Sequence, residues 1–269
     1  MQFDQARIAI RERSWLDNLD LALQVIRTHF KAVCVLAAWG VLPLVAMNYA
    51  MLYVLLSGDL SEEATFEMVW WSLVAVLFEA PLATAPVTLY LGQALFDAHP
   101  SGRKVARDLL ACLPQLFLFQ FLLRGLLFVM VLSAVIPYAL WPYLNEVILL
   151  ERNPLSARGG QLSTMKRSSV LHRGKSGDYI ARGLAAAFFG GLLVVALYVT
   201  QSMVLRVLFG VSEGWTARVL ALQGVLWIVA VFFTVVRFLS YLDQRIRSEG
   251  WEVELFLRAQ RERMMRHAA

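Results

Sequence analysis

Charged residues are scarce in this chain. Only 17% of its 269 residues are Asp, Glu, Lys or Arg, whereas 59% are hydrophobic. That balance excludes an ordinary water-soluble domain. The apolar runs are long enough to cross a hydrocarbon core of about 30 Å, which takes roughly 20 residues per helix. Alternating ten-residue amphipathic segments are absent, so we expect an all-α, polytopic helical membrane protein and not a barrel.

Cysteine and histidine are also scarce, which limits the chemistry available. The two cysteines, Cys34 and Cys112, lie near predicted cytoplasmic ends of spans, which argues against a disulfide framework and predicts two packed thiols. The four histidines fall in four separate segments without a second ligand at metal spacing, so we expect no metal site. A GxSxG elbow, an HExxH helix and paired catalytic carboxylates in a loop are missing as well. We therefore expect neither enzyme activity nor a cofactor.

The net charge of +5 does not indicate nucleic acid. Residues 172–177 contain the GKS end of a phosphate loop, but Ser169 stands where the earlier glycine is needed and no strand precedes it. The pattern therefore excludes nucleotide binding. The basic residues follow the predicted topology and form no DNA-reading motif, so anionic lipid headgroups are the expected partner of these cations.

The topology follows from a basic belt, residues 145–183, that lies between two strongly apolar blocks. Its cations are densest in residues 151–178, and so many cations are retained on the cytoplasmic side of a membrane. Of the 25 Lys and Arg residues, 20 fall in segments predicted to be cytoplasmic, and only Arg218 falls in a predicted outer loop. We therefore expect both termini to be cytoplasmic.

The first half of the chain predicts a surface helix and two spans. Residues 1–30 predict an amphipathic helix on the inner membrane surface, too charged for a cleavable signal peptide. Span one, residues 32–56, contains Pro43 and should be kinked. An acidic loop, residues 57–67, then leads into span two, residues 68–96. This span contains Pro81 and Pro86 and should be bent or broken.

The second half predicts four more crossings and a tail. Residues 109–150 are almost continuously apolar and have basic flanks, so they should cross an even number of times, with an outer turn between residues 124 and 137. Spans five and six are predicted at residues 179–209 and 219–239. The membrane domain therefore covers residues 31–239 with about six spans, and residues 240–269 form an amphipathic cytoplasmic tail.

Two charged residues are predicted at membrane depth. Glu79 should face the bundle interior or water, because a charge there is costly. One interpretation makes it a proton or cation site, with Arg124 as a partner; the other makes it a structural ion pair or a carboxylate bonded to backbone freed by Pro81. Arg124 could equally mark the outer turn. Arg206 and Arg237 lie near span ends and are expected to snorkel to the interface.

Small residues in span five predict a helix-packing face. Gly183, Ala187 and Gly191 recur at a spacing of four, which lets two helix backbones approach closely.

The cytoplasmic segments predict either docking surfaces or a solvated, lipid-facing basic linker. The belt is richer in apolar residues than a linker needs, which favours docking through residues 145–154 and 166–173. The tail alternates apolar residues and charge, which suits a membrane surface or a partner helix. The residues that we expect to dock partners or bind lipid are Arg152, Lys166, Arg167, Arg173, Lys175 and Trp251.

Three segments carry a resemblance to a known family. They are residues 146–154 (EVILLERNP), 166–173 (KRSSVLHR) and 241–257 (YLDQRIRSEGWEVELFL). Together they resemble bacterial multi-spanning proteins related to the membrane domain of glycerophosphodiester phosphodiesterases. The resemblance implies a six-helix domain in the bacterial inner membrane. The catalytic barrel of the diesterases has no counterpart here, so diesterase activity is not implied.

Three hypotheses for function follow. The favoured one is a non-catalytic subunit or scaffold of a bacterial membrane complex, which docks other membrane proteins or a second copy of itself. The second is a small transporter or channel that uses Glu79 and the broken second span. The third is lipid binding or membrane remodelling through Lys166, Arg167 and Arg173.

Overall fold

The computed structural model describes residues 15–56, 61–97, 100–123, 141–155, 162–172, 176–210 and 214–249. Within these residues the chain forms helices and connecting turns and contains no strand. The prediction of an all-α protein is therefore confirmed.

The described residues form nine helical elements. The first five are α1 (Trp15–Thr28), α2 (Phe30–Leu56), α3 (Glu62–Ala83), α4 (Ala85–Ala94) and α5 (Gly102–Leu116), the last continuing as π-helix over Phe117–Leu123. Next comes α6 (Leu144–Glu146), which continues as π-helix over Val147–Glu151. The last three are α7 (Thr164–His172), α8 (Ser176–Phe209) and α9 (Trp215–Glu249).

Four helical stretches are long and apolar enough to cross a membrane: Phe30–Leu56, Glu62–Ala94, Gly177–Phe209 and Trp215–Arg247. They correspond to predicted spans one, two, five and six. The central part of the predicted hairpin at residues 109–150 lies outside the described residues. The chain is therefore described here as a helical membrane protein with four candidate spans.

Helix α9 is the centre of the bundle. It packs against α1, α2, α3, α4, α7 and α8, and most of its apolar window is buried. It also continues ten residues beyond Leu239, where the sequence predicts the end of span six. The reason is packing, because Tyr241, Asp243, Gln244 and Ile246 are all buried. Part of the predicted tail is therefore a continuation of the central helix.

The predicted break in span two is confirmed at Thr84, between α3 and α4. Pro81 lies inside α3 and Pro86 lies in the first turn of α4, and neither can donate a backbone hydrogen bond. The Thr84 hydroxyl donates to the carbonyl of Ala80 at 2.7 Å, which stabilises the end of α3. Beside this break, Gly40 of α2 lies directly against the backbone of Ala83.

Helix α1 packs along α9, which the sequence did not predict. Asn18 and Ala22 are buried, and the Asn18 amide donates to the Ser240 hydroxyl at 3.4 Å. Leu16 and Leu23, on another face of α1, are exposed. The amphipathic helix therefore uses part of its surface to cover α9 and leaves a second apolar face open.

The prediction of two packed thiols is half correct. Cys112 is buried beneath α6, with its sulfur 3.7 Å from the carbonyl oxygen of Ile148. Cys34 is exposed, so the prediction was wrong for that residue. The cause is the position of Cys34 on an outward face of α2, a helix of which little is buried.

Candidate functional site

A stripe of polar side chains runs along the inward face of α9. Its members recur at intervals of three, four or seven residues, which places them on one side of a helix. We call these residues the polar stripe: Gln223, Trp227, Thr234, Arg237, Tyr241 and Gln244. All are buried except Arg237, whose side chain is 24% exposed. Five of the six form hydrogen bonds to other helical elements, so the stripe is where the bundle's polar groups meet.

At one end of the stripe, three polar side chains from three helices meet in an apolar core. The Asn48 amide of α2 donates to Oε2 of Glu79 on α3 at 2.9 Å, and its nitrogen lies 3.5 Å from Oε1 of Gln223 on α9. All three residues are buried. Glu79 thus lies in the bundle interior, where its charge led us to expect it. We call this group the amide–carboxylate cluster.

The middle of the stripe meets the break between α3 and α4. The Thr234 hydroxyl lies 3.0 Å from that of Thr84 and 2.8 Å from the carbonyl oxygen of Ala230. From the other side, the Asn145 amide donates to the carbonyl of Pro81 at 3.3 Å. Polar side chains from α6 and α9 therefore satisfy the backbone and side chains around the broken helix.

The π-helical turn of α6 aligns two carboxylates with α9. Residues five apart lie about 140° apart around an α-helix, but much closer to the same side where hydrogen bonds run from i to i+5. Glu146 and Glu151 therefore face the same side. Arg237 donates to Glu146 at 2.6 Å, and the Tyr241 hydroxyl donates to Glu151 at 2.8 Å. Glu146 and Glu151, five residues apart on α6, are thereby aligned with Arg237 and Tyr241, four residues apart on α9.

Glu151 also joins α6 to α7. Arg167 donates to both of its carboxylate oxygens, at 2.5 and 2.9 Å. Burial alone would raise the pKa of the Glu151 carboxyl, but the hydrogen bonds from Arg167 and Tyr241 and the charges of Arg167 and Arg245 outweigh it and lower that pKa. Glu151 therefore stays ionised and holds three elements together.

The π-helical turn ends at Arg152, the one non-glycine residue with a positive φ in the described part of the chain. Its φ of 52° lies in the left-handed region, which L-residues other than Asn and Asp seldom adopt. The guanidinium forms an ion pair with Asp108 of α5 at 2.5 Å, and the Asp108 side chain is only 4% exposed. This ion pair anchors the end of α6 to α5.

His172 closes the far end of the stripe. Its Nδ1–H donates to the carbonyl oxygen of Ser168 at 2.6 Å, and its Nε2 accepts from the backbone N–H of Tyr143 at 3.4 Å. The ring stacks on Tyr143 and meets Tyr179 edge to face. Burial lowers the pKa of His172 despite the opposing effect of the Ser168 carbonyl. The neutral imidazole is therefore the form that fits this cage.

Lowering the pH from about 7 to about 5 should destabilise the chain through His172. The unfolded imidazole binds a proton near its ordinary pKa of 6.5, whereas the folded one does so only at lower pH. Stability is therefore complete above about pH 6.5 and falls as the pH decreases. We expect the thermal unfolding midpoint to fall by a few degrees, since about 1 kcal/mol corresponds to roughly 2–4 °C.

The measurement compares how far the thermal unfolding midpoint falls with pH in the wild type and in His172→Gln. The fall should be smaller in His172→Gln. His29→Gln is the matched control, because His29 contacts Tyr90 and takes no part in the cage around His172, so this variant should keep the wild-type decline. An equal decline in the wild type and in His172→Gln would remove His172 as its cause.

The predicted small-residue face is open in the structure. Gly183, Ala187 and Gly191 are exposed, and a Cβ on either glycine would meet nothing within 4 Å. The close approach between α8 and α9 uses Gly190 instead, where a Cβ would lie 3.1 Å from the ring of Phe233. The predicted face is therefore free to meet a helix from outside the described chain.

The cations predicted to dock partners have different surroundings. Arg152 and Arg167 are engaged by Asp108 and Glu151, whereas Lys166 is exposed. The prediction of a docking surface at residues 145–149 is wrong, because these residues are buried between α4, α5 and α7. The remaining predicted site residues lie outside the described part of the chain: Arg124, Arg173, Lys175 and Trp251.

The prediction that Arg237 snorkels to the interface is also wrong. Glu146 is fully buried beside it and binds it. Sequence reasoning missed Asn48, Gln223, Glu146 and Glu151 as site residues as well. A signal was available only for Gln223, through the spacing of polar residues within the apolar helix α9.

No family model matches this chain, and neither the curated proteins nor the solved structures contain a significant match. The resemblance to the diesterase membrane domain therefore stays a prediction. The three segments on which it rests meet in space, since Glu151 binds both Arg167 and Tyr241.

Proposed function

We propose that this chain is a non-catalytic subunit of a bacterial inner-membrane complex that assembles with a transmembrane helix of another membrane protein along α8. The observation that carries the proposal is the nearly uncovered surface of α8. Its span is the most exposed of the four candidates, and it packs mainly along α9.

The exposed surface of α8 is of two kinds. Large apolar side chains, among them Phe188, Val195 and Met203, are exposed and can be covered by lipid. Gly183, Ala187 and Gly191 form an exposed row beside them, and a Cβ on either glycine would meet nothing within 4 Å. Small residues at this spacing favour close packing of a second helix, because dispersion contacts between backbones replace looser contacts with lipid. A transmembrane helix fits this face better than lipid does.

The proposed topology has six spans with both termini cytoplasmic. The distribution of Lys and Arg supports it, as does the helical form of the four candidate spans. In this orientation α6, α7 and the end of α9 lie on the cytoplasmic side. The exposed Lys166 of α7 would then face anionic lipid headgroups or a cytoplasmic partner.

The proposal is tested with two alanines that lie nine residues apart on α8. Nine residues correspond to two and a half turns, so Ala187 and Ala196 are exposed on opposite sides of the helix. Ala187→Leu should block close helix packing and reduce recovery of a stoichiometric partner from native membranes by at least about tenfold, which is 1.4 kcal/mol. Ala196→Leu should leave recovery at the wild-type level.

The measurement is affinity purification in mild detergent followed by mass spectrometry of the chains that remain bound. A partner lost only in Ala187→Leu supports the proposal. Loss of the partner in both variants, or in neither, would place the interface elsewhere, and wild-type protein that purifies without a partner would overturn the subunit role.

A further inference from the structure

The geometry points to the amide–carboxylate cluster as an intramembrane binding site for a small monovalent cation, a proton or Na⁺, with Glu79 as the residue that takes its charge. The inference is independent of the proposed subunit role. It rests on three buried side chains from three helices and on the polar atoms that they leave unpaired.

Glu79 differs from the other buried carboxylates of the bundle. Glu146, Glu151, Asp108 and Asp243 are each paired with an arginine, namely Arg237, Arg167, Arg152 and Arg247. Among the described residues, Glu79 forms no ion pair and receives one amide hydrogen bond, from Asn48. A buried, ionised carboxylate without a counter-charge costs several kcal/mol. A bound cation would remove that cost.

Among the described residues, the surrounding charges do not supply the missing cation. The elements packed against α3 include α2, α9 and the π-helical segment Phe117–Leu123. The π-helical segment itself carries no charged residue. Elsewhere the nearest charged residues along each helix are Lys31 on α2, Glu67 on α3, and Arg218 and Arg237 on α9. Each lies at least five residues from the cluster residue of its own helix.

The two amides leave binding capacity unused. Asn48 Oδ1, an acceptor that can ligate a cation, and Gln223 Nε2, a hydrogen-bond donor that cannot, are both buried and have no hydrogen-bond partner in the described chain. The Ser72 hydroxyl, seven residues before Glu79 and so on the same face of α3, is likewise buried and unpaired. Unpaired buried polar atoms are rare in proteins because each costs about 1–3 kcal/mol. Carboxylate and amide oxygens are the ligands that hard cations prefer.

The polar stripe extends from this cluster towards the other end of α9. Thr234 and Thr84 bond to each other, and Asn145 lies next to them through Pro81. Further along, Glu146 and Glu151 bond to Arg237 and Tyr241. Hydrogen-bonding groups therefore continue along one helix face from the cluster to the end proposed to be cytoplasmic. A cation site so placed is what a small transporter or channel requires.

The test measures reaction of wild-type protein with dicyclohexylcarbodiimide, an apolar reagent that adds to protonated carboxyl groups within membranes. Protein reconstituted in vesicles is labelled at several pH values in sodium, potassium or choline chloride of equal concentration, and the modified residues are identified by mass spectrometry. Glu146 and Glu151 serve as internal controls, because their arginine partners should keep them unlabelled.

We expect Glu79 to be labelled and the rate to fall about tenfold for each pH unit once the carboxyl is ionised. A rate that depends on pH alone identifies the proton as the cation, and additional protection by sodium over choline identifies Na⁺. Either result supports the site. Absence of labelling at Glu79 at every pH, or labelling that is insensitive to both pH and salt, would overturn it and indicate a structural carboxylate or one paired with Arg124.

A matched pair of substitutions tests the role of the amides. Gln223→Met removes an amide of the cluster, whereas Gln93→Met removes a buried amide on α4 that lies outside it. The midpoint of the pH or sodium dependence should move at least threefold in Gln223→Met and stay unchanged in Gln93→Met. Equal behaviour of the two variants would exclude Gln223 from the site.

Discussion

Replacing Arg237 with methionine should reduce the free energy of unfolding by about 3–5 kcal/mol, because it leaves the Glu146 carboxylate buried without its partner. Glu146 is completely buried, and Arg237 donates to it at 2.6 Å. One oxygen of Glu146 and one nitrogen of Arg237 are already unpaired, so no second partner compensates for the loss. The protein is unfolded in mixed detergent micelles, and circular dichroism monitors the loss of helix.

The double variant Glu146→Met/Arg237→Met is the control for this prediction. Replacing a buried ion pair by two apolar side chains is often close to neutral, so the double variant should recover most of the stability that the single variant loses. A single Arg237→Met variant that loses less than about 1 kcal/mol would mean that Arg237 snorkels to water, as its position near the span end first indicated.

Hydropathy explains why the sequence predicts helix α9 as a membrane span but does not predict its polar stripe. Averaged over a span, α9 is strongly apolar, and this average correctly locates a membrane helix. The average also conceals Gln223, Thr234 and Arg237, because most residues around them in the helix are apolar. Reading the polar residues at a helical period would have placed them on one face. Their partners could not be read in this way, because Glu146 and Arg237 are 91 residues apart.

The π-helical turn of α6 is a second feature that sequence patterns do not reveal. Residues 147–151 read as an apolar run followed by an acid, which fits an α-helix equally well. Only contacts with α9 show that Glu146 and Glu151 must face the same side. By contrast, the break at Thr84 followed directly from Pro81 and Pro86, because proline restricts its own backbone whatever its surroundings.

The helix-packing prediction shows what a motif can and cannot specify. The spacing of Gly183, Ala187 and Gly191 permits a close approach, but it does not name the helix that approaches. In the described chain the close contacts form at Gly40, against Ala83, at Gly92, against Leu150, and at Gly190, against Phe233. None of the three glycines belongs to the predicted face. A glycine acquires a structural role from the neighbour that occupies the space of its missing side chain.

Gly40→Ala should therefore be among the most destabilising single-methyl changes in the chain. A Cβ on Gly40 would overlap the carbonyl oxygen of Ala83 and also lie within 3.0 Å of its carbonyl carbon. The obstacle is backbone, which cannot rotate away as a side chain can. Relief requires α2 to move away from the break between α3 and α4, at a cost of about 3 kcal/mol or more. The same unfolding experiment measures the loss.

Gly191→Ala is the matched control, since it makes the same change in another apolar helix where nothing lies within 4 Å of the added methyl. There the higher helix propensity of alanine should stabilise the helix slightly, by up to about 1 kcal/mol. The two substitutions should thus change the free energy of unfolding in opposite directions. Asn48 lies on α2 and Glu79 on α3. Separating these two helices should therefore also slow the carbodiimide labelling of Glu79 or shift it to other carboxyl groups. Equal effects of the two substitutions would show that α2 does not approach the break as closely as the structure places it.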